Sequence, residues 1–264
     1  MRDLSGKRIW LTGASSGIGE ALAYILAAKG ANLILSARNV TELNRVRLAC
    51  RSPDAHKVVP LDLEQYRGLE ALAEDVWGRF GPIDVLINNA GVSQRYLALE
   101  STMALDEKIM ATNFFGTLAL TRPLLKKMAA RKIGHIVTVS SVLGLYGVQT
   151  RTSYSASKHA LRGYFNSLRN ELYGTDLRVT NIYPGYVTTK VSQNALNAEG
   201  QAYGKMDEGH SKGLSPAACA QRIVKAIERD EAEVVVAKGK ELLGVYISRF
   251  FPALFRMVSA RSKV

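Results

Sequence analysis

Short apolar runs alternate with longer amphipathic stretches along almost the whole chain. Most of the runs are continuous rather than alternating, which is typical of parallel strands covered on both faces. They predict strands over residues 8–12, 32–37, 57–61, 83–88, 135–140, 178–183 and 233–237. Helical patterns fill residues 18–29, 41–51, 67–79, 103–131, 154–173 and 216–229, and Ser215-Pro216 has the composition of a helix start.

This alternation predicts right-handed βαβ units, and therefore a single-domain Rossmann-type α/β fold. We expect a doubly wound parallel sheet of about seven strands with helices on both faces. A length of 264 residues suits one large domain, and no linker, repeat or low-complexity segment interrupts it. Residues 1–237 are expected to form the main body, and residues 238–264 a basic amphipathic extension of the same domain.

The composition excludes several classes of protein. Two cysteines without C-x-x-C spacing and four scattered histidines argue against a disulfide framework and against a metal site. The first apolar run begins at residue 8 or 9, and no run reaches the roughly 18 residues of a spanning helix. We therefore expect a soluble, cytoplasmic protein without an N-terminal anchor.

A net charge of +12 favours an anionic partner. A phosphorylated cofactor, an anionic membrane surface and nucleic acid are the three candidates. No helix-turn-helix, zinc-finger or RNP pattern accompanies the charge, so we expect no nucleic-acid partner.

The stretch LTGASSGIGEAL, residues 11–22, allows two interpretations. It contains G-x-S-x-G, which in hydrolases exposes a nucleophilic serine, here Ser15, and Asp176 and His210 could complete a triad. The same stretch contains Gly13, Gly17 and Gly19 between a predicted strand and a helix, where backbone N–H groups bind a dinucleotide pyrophosphate. The position in the fold favours the nucleotide.

The second predicted strand bears on the choice of cofactor. Folds that prefer NAD place an acidic residue there, but this sequence has Arg38 and no acid until Glu42. Arg38 could pair with a 2′-phosphate, which would favour NADPH over NADH by on the order of tenfold to a hundredfold. The alternative is an arginine that is merely exposed to solvent.

Tyr154 and Lys158 are four residues apart in a predicted helix and therefore share a face. A lysine ammonium near a phenol is expected to lower the phenol pKa, which makes the tyrosine a usable acid/base catalyst. Tyr186 and Lys190 have the same spacing, but they follow Pro184-Gly185 in a predicted loop. The first pair instead follows a strand that ends in serines, so it is the better candidate.

Five motifs occur in a fixed order. They are T-G-x-x-x-G-x-G from Thr12 to Gly19, N-N-A-G from Asn88 to Gly91, Ser141 placed 13 residues before Tyr154, Y-x-x-x-K, and P-G-x-x-x-T from Pro184 to Thr189. From about residue 5 to 237, the sequence resembles the short-chain dehydrogenase/reductase family. The resemblance implies an NADP(H)-dependent oxidoreductase that interconverts a carbonyl and an alcohol. An NAD(H)-dependent alcohol dehydrogenase and a nucleotide-binding sensor without turnover are the alternatives.

The resemblance also implies roles for individual residues. Tyr154 would be the acid/base, Ser141 would orient the substrate carbonyl, Lys158 would also hold the nicotinamide ribose, and Asn113 would order a water for proton supply. Asn113 could instead cap a helical kink, and Asn88 is expected to be scaffold. The implied cofactor contacts are Gly13, Ser15, Ser16, Gly17, Ile18, Gly19, Arg38, Asp62, Leu63, Asn89, Ala90, Gly91, Tyr154, Lys158, Pro184, Gly185, Val187 and Thr189. Many NADP-preferring relatives carry a basic residue where this sequence has Ser16.

Residues 190–213 have the composition of a mobile lid and resemble the dehydrogenase/reductase member seven group, a branch near eleven-beta-hydroxysteroid dehydrogenase. That branch implies a lipophilic ketone or aldehyde substrate, and the family implies a homodimer or homotetramer. The tail sets Leu243, Tyr246, Ile247, Phe250, Leu254 and Val258 against the basic residues Lys238, Lys240, Arg249, Arg256, Arg261 and Lys263. It suits peripheral membrane contact or a subunit contact, and both remain open.

Overall fold

The computed structural model describes residues 3–205 and 208–261. Seven parallel strands form one sheet in the order β3-β2-β1-β4-β5-β6-β7, which confirms the predicted fold class. Every strand overlaps its predicted apolar run. The strands are β1 Arg8–Thr12, β2 Asn32–Ser36, β3 Lys57–Val58, β4 Val85–Asn88, β5 Gly134–Val139, β6 Leu177–Pro184 and β7 Glu233–Val236.

Strand β3 is shorter than its predicted span of residues 57–61. The regular ladder ends after Val58, and Pro60 follows with its nitrogen toward the open edge of the sheet, where proline is tolerated. Val59 and Leu61 nevertheless still donate to the carbonyl groups of Leu35 and Ala37. The segment therefore stays beside β2 without being a regular strand.

Helices fill the intervals between the strands. They are α1 Gly17–Ala28, α2 Val40–Ala49, α3 Leu69–Phe80, α4 Met103–Met110, α5 Gly116–Ala130, α6 Thr152–Glu171, α7 Glu208–Ser211, α8 Pro216–Glu228, α9 Lys240–Phe250 and α10 Pro252–Arg261. The single helix predicted over 103–131 is in fact α4 and α5, joined by a π-helical segment at Ala111–Phe115. Pro252 divides the tail into two helices because it cannot donate the N–H that would continue α9. Ser215 caps α8 as predicted, since its Oγ accepts from the N–H of Ala218 at 3.2 Å.

The sheet has a hydrophobic core on each face. Along β1, Ile9 and Leu11 pack on one side, while Trp10 packs on the other. Strands β4 and β5 alternate in the same way, with Val85 and Ile87 facing opposite to Leu86. Because both faces are covered, most central strand positions are apolar, and this explains the continuous runs in the sequence.

The chain changes direction across the sheet at β1, which lies between β2 and β4. In a parallel sheet such a switch point opens a crevice at the carboxyl ends of the strands. The turn after β1, the N-N-A-G motif after β4, the serines after β5 and Pro184-Gly185 at the end of β6 all meet at this edge. In the described part of the chain, no helix has both the length and the apolar character needed to cross a bilayer.

Candidate active site

A cavity of about 650 Å³ occupies this edge of the sheet. Its volume lies within the usual range for a small-molecule or cofactor site. Its walls contain every residue predicted to contact the cofactor except Gly19, and also the predicted catalytic residues Ser141, Tyr154 and Lys158. Asn113 does not line it.

The glycine turn has a backbone that side chains would obstruct. Gly13 and Gly17 have φ of +67° and +60°, a region that favours glycine. A Cβ on Gly13 would lie 2.8 Å from Nδ2 of Asn89. A Cβ on Gly19 would lie 2.0 Å from the carbonyl oxygen of Gly13, so Gly19 allows α1 to approach the turn rather than lining the cavity. Together with the N-terminus of α1, the turn fits a dinucleotide pyrophosphate.

The end of β4 supports this turn through a group of hydrogen bonds. Oγ1 of Thr12 accepts from the N–H groups of Asn89 at 3.0 Å and Ala90 at 3.1 Å. Nδ2 of Asn89 donates to the carbonyl oxygens of Thr12 at 3.0 Å and Gly13 at 3.3 Å. Asn88 is buried and donates to Oγ1 of Thr121, which is the scaffold position predicted for it.

The outer end of the cavity contains Arg38, Asp62 and Leu63. Asp62 caps the short helix at Leu63–Gly68, since its Oδ1 accepts from the N–H of Glu64 at 3.1 Å. Arg38 is exposed, and no acidic side chain within the described ranges forms an ion pair with it. Its guanidinium is therefore available to an anionic ligand.

Tyr154 and Lys158 project from one face of α6 toward the turn after β5. The hydroxyl of Ser141 lies beside the phenol of Tyr154, close enough to lower its pKa, and both residues line the cavity. Nζ of Lys158 lies 5.7 Å from the centre of the Tyr154 ring and donates to the carbonyl oxygen of Val139 at 3.2 Å. The neighbouring Ser140 donates to the carbonyl oxygen of Lys158 instead, so Ser141 is the serine that contacts Tyr154.

The predicted effect of Lys158 on Tyr154 is wrong for this structure. Burial raises the pKa of Tyr154, and the neighbouring hydroxyl of Ser141 and the positive charge of Arg151 oppose this rise only in part. Burial lowers the pKa of Lys158 to about 8, because the ammonium loses its hydration. Tyr154 therefore stays protonated at neutral pH and can donate a proton.

Asn113 lies behind the cavity wall, within the π-helical segment. Its Oδ1 accepts from the N–H of Val92 at 2.8 Å, and its Nδ2 donates to the carbonyl of Val92 at 3.0 Å and to Oγ of Ser157 at 2.9 Å. A Cβ on Gly91 would lie 3.0 Å from Oδ1 of Asn113 and 3.4 Å from Nζ of Lys158. Asn113 is thus both part of a helix distortion and a neighbour of Lys158.

Several lining residues were not predicted from the sequence. Arg151 is buried, and burial together with the positive charge of Arg95 lowers the pKa of Arg151 to about 9. Glu241 reaches the cavity from α9, so the tail contributes to the site. No sequence motif predicts this contribution of Glu241, because it depends on how the tail folds back onto the domain. Other lining residues that were not predicted include Val142, Leu143, Tyr146, Val148, Tyr186 and Asn194.

The hydrolase interpretation does not fit the topology. Ser15 follows the carboxyl end of β1, whereas Asp176 precedes β6 and therefore lies at the opposite edge of the sheet. Asp176 forms an ion pair with Arg178 at 3.6 Å. The side chain of His210 is not described. Over the described ranges, no group of three His, Cys, Asp or Glu side chains has the arrangement of a metal site.

Comparison with known proteins agrees with this geometry. The profile of a family described as short chain dehydrogenase matches residues 7–200. The chain belongs to the short-chain dehydrogenase family. It is 40% identical to dehydrogenase/reductase SDR family member 7B of Bos taurus, over 96% of this chain and 80% of that protein, which confirms the predicted resemblance to the member seven branch.

Solved structures of the family have the same fold. A metagenomic short-chain oxidoreductase in complex with NADP is 30% identical, with a TM-score of 0.71 over 88% of this chain and 97% of that one. A short-chain dehydrogenase/reductase of Burkholderia phymatum in complex with NAD is 24% identical, with a TM-score of 0.84 over 96% of each chain. The second likeness concerns the fold alone. Family members bind a nicotinamide cofactor, and both forms occur among these neighbours.

Because Lys158 is buried, we predict that a substitution that removes its charge stabilises the folded protein by an amount that depends on pH. Between pH 8 and 10.5 the unfolded chain holds a proton on this lysine and the folded chain does not, so wild-type stability rises with pH. Lys158→Met should raise the free energy of unfolding at pH 7 by up to about 3 kcal/mol, because no buried charge remains. Loss of the hydrogen bond to Val139 should reduce this gain by about 1 kcal/mol. The gain should shrink toward pH 10.5. Urea unfolding at a series of pH values measures it.

The exposed Lys126 in α5 provides the control. Lys126→Met should change stability little, and equally at every pH. A Lys158→Met gain that stays constant from pH 7 to 10 would contradict the assigned cause.

Proposed function

We propose that this protein is an NADP(H)-dependent oxidoreductase that interconverts a carbonyl and an alcohol, with Tyr154 as the acid/base. The observation that carries the proposal is the contact of Tyr154 with Ser141 and Lys158 inside the cavity that also contains the glycine turn. Chemistry and cofactor binding thus share one enclosed space. A nucleotide-binding sensor has no need for a protonated phenol beside the cofactor.

The cofactor, when bound, supplies or accepts the hydride. Ser141 donates a hydrogen bond to the substrate oxygen and holds it beside Tyr154. In reduction, Tyr154 donates its hydroxyl proton to that oxygen, and its raised pKa keeps this proton in place at neutral pH. Lys158 holds the ribose and faces Tyr154. Asn113, which contacts Val92 and Ser157, would anchor a water that resupplies the proton.

The remaining contacts follow the shape of the cavity. The glycine turn with Ser15, Ser16 and Ile18 would hold the pyrophosphate, and Asp62 with Leu63 would contact the adenine. Asn89, Ala90 and Gly91 would border the cofactor, and Val187 and Thr189 would contact the carboxamide.

A lipophilic ketone or aldehyde is the substrate we propose. The end of the cavity beyond Tyr154 contains Val142, Leu143, Tyr146, Val148 and Tyr186, which give it an apolar wall. The similarity to member 7B supports the same substrate class.

The tail is proposed to rest on an anionic membrane surface at the mouth of this cavity. Phe255 of α10 packs on Tyr146 with ring centres 5.0 Å apart, while Phe250 and Phe251 are 64% and 63% exposed. Exposed basic residues occur in the same segment as these rings, a composition that is typical of helices lying in a membrane interface. They are Lys238, Lys240, Arg249, Arg256 and Arg261, whereas Lys263 lies outside the described residues.

Tyr154→Phe tests the catalytic assignment. Removing the hydroxyl should reduce NADPH-dependent reduction of decanal by at least about a hundredfold, within the usual contribution of general acid catalysis. The affinity for NADPH, measured by nicotinamide fluorescence, should stay within about twofold. Tyr173→Phe, at a fully solvent-facing tyrosine at the end of α6, is the matched control and should leave turnover unchanged. Undiminished turnover in Tyr154→Phe would remove the proposed mechanism.

Arg38→Gln tests the cofactor preference. The wild-type protein should bind NADPH about tenfold to a hundredfold more tightly than NADH, because a charge-assisted bond to the 2′-phosphate adds about 1.5–3 kcal/mol. The substitution should bring the two dissociation constants close together by weakening NADPH alone. Arg79→Gln, in the distant helix α3, controls for the change in net charge. Equal wild-type affinities would remove Arg38 as the residue that discriminates between the cofactors, and tighter binding of NADH would favour the NAD(H)-using alternative.

Phe250→Ser/Phe251→Ser tests the tail. Wild-type protein should float with phosphatidylcholine vesicles that contain 30% phosphatidylglycerol, and less with phosphatidylcholine alone; the double variant should remain in the soluble fraction. Leu99→Ser, at an apolar residue 97% exposed elsewhere, is the control. Mass measurement by light scattering runs in parallel. A smaller assembly in the double variant, with no wild-type flotation, would assign the tail to a subunit contact instead.

A further inference from the structure

The first turn of α6 lacks a cap from its own residues. The first four N–H groups of any helix have no partner within the helix, and the N-cap side chain usually binds one of them. Here the N-cap residue is Arg151, whose side chain makes no capping hydrogen bond. An arginine has no acceptor atom, so it is unable to take this role. Tyr154 is the third residue of this turn and depends on its order.

Gln94, which comes 60 residues earlier, supplies the missing cap. It is fully buried, and its Oε1 accepts from the backbone N–H of Tyr154 at 3.0 Å. Its Nε2 donates to Oγ1 of Thr152 at 3.0 Å and to the carbonyl of Tyr96 at 3.3 Å. The side-chain amide of Gln94 thus binds both Thr152, the first residue of α6, and the backbone of Tyr154, the third.

A second contact from outside the helix secures the residue between them. Oδ1 of Asp106, in α4, accepts from Oγ of Ser153 and from Oγ of Ser101, the latter at 2.8 Å. The first turn of α6 is therefore held by side chains of the segment after β4 and of α4.

The segment that contains Gln94 also contacts the region predicted to be a lid. The backbone carbonyl of Ser93 accepts from the N–H of Leu196 at 2.9 Å, and the N–H of Arg95 donates to the carbonyl of Leu196 at 2.7 Å. Val92 precedes Ser93, and both its N–H and its carbonyl oxygen are hydrogen-bonded to the side-chain amide of Asn113. Gln94 thus lies where the substrate end, Asn113 and the helix that bears Tyr154 meet.

We propose that Gln94 is a positioning residue for the reaction: it caps α6 from outside and fixes the direction of the Tyr154 hydroxyl. This inference rests on the proposed function, since it assumes that Tyr154 transfers the proton. Gln94 does not line the cavity, so it acts on the reaction through the first turn of α6 and touches neither substrate nor cofactor. A displacement of about 1 Å of a catalytic group can cost on the order of a hundredfold in rate.

Gln94→Leu is the primary test, because leucine has a similar size and no acceptor. Hydrogen–deuterium exchange of the amides from Tyr154 to Ser157 should speed up at least tenfold, whereas exchange in the second half of α6 stays unchanged. In the decanal assay kcat should fall about tenfold to a hundredfold while KM and the NADPH dissociation constant stay within about threefold. Thr152→Val, which keeps the bond from Gln94 to Tyr154, is the matched control and should have little effect on either readout.

Gln94→Glu tests the role of the acceptor separately. Glutamate keeps an oxygen for the N–H of Tyr154, so amide exchange should return toward the wild-type rate. Its charge should raise the pKa of Tyr154, which Arg151 and Lys158 also face. The titration of Tyr154 is followed by absorbance at 295 nm. The signal of the same protein carrying Tyr154→Phe in addition is subtracted, so that only Tyr154 contributes. This readout and the exchange rates require no substrate.

The outcomes separate the cap from the proposed function. Unchanged exchange in Gln94→Leu overturns the cap, and faster exchange with unchanged kcat and an unchanged Tyr154 titration overturns the positioning role. Faster exchange with a lower kcat, restored in part by Gln94→Glu, supports both. If Tyr154→Phe remains fully active while Gln94→Leu speeds exchange, the proposed mechanism fails and the cap alone remains.

Discussion

The packing of α6 against the carboxyl end of β5 is the contact on which the rest of the site depends. It buries Lys158, whose exposed fraction is 3%, and directs its Nζ to the carbonyl of Val139. The same packing places Tyr154 beside Ser141, and Ser140 secures the approach through the carbonyl of Lys158. Because burial disfavours charge, the neighbourhood holds a lysine that loses its proton more readily and a tyrosine that keeps it.

The cofactor half of the cavity is built differently, from backbone rather than from buried charge. Gly13 and Gly17 adopt positive φ, and Asn89 ties the end of β4 to the turn after β1. These bonds connect the two strands on either side of the switch point. A rigid turn and a helix N-terminus can bind phosphate without any charged side chain.

The substrate half is assembled from segments that are distant in sequence. Arg151 and Tyr154 come from α6, Tyr146 from the turn after β5, Tyr186 from the loop after β6, and Glu241 from the tail. Some of these segments are hydrogen-bonded to one another: the N–H of Gly185 donates to the carbonyl of Val236 at 3.0 Å, and the hydroxyl of Tyr146 donates to the carbonyl of Glu241 at 3.5 Å. The shape of this half of the cavity therefore depends on how the loops and the tail meet.

The sequence by itself determined the seven strands, the parallel sheet and the motifs of the site. Continuous apolar runs require a sheet covered on both faces, and parallel strands necessarily bring their carboxyl ends, with the glycine turn and Tyr154, to one edge. Only the tertiary structure decided the protonation of Tyr154, since burial outweighs the charges around it. It also divided residues 103–131 into two helices and brought Gln94 to the backbone of Tyr154. Such effects depend on distances between residues far apart in the chain, and local sequence patterns do not contain those distances.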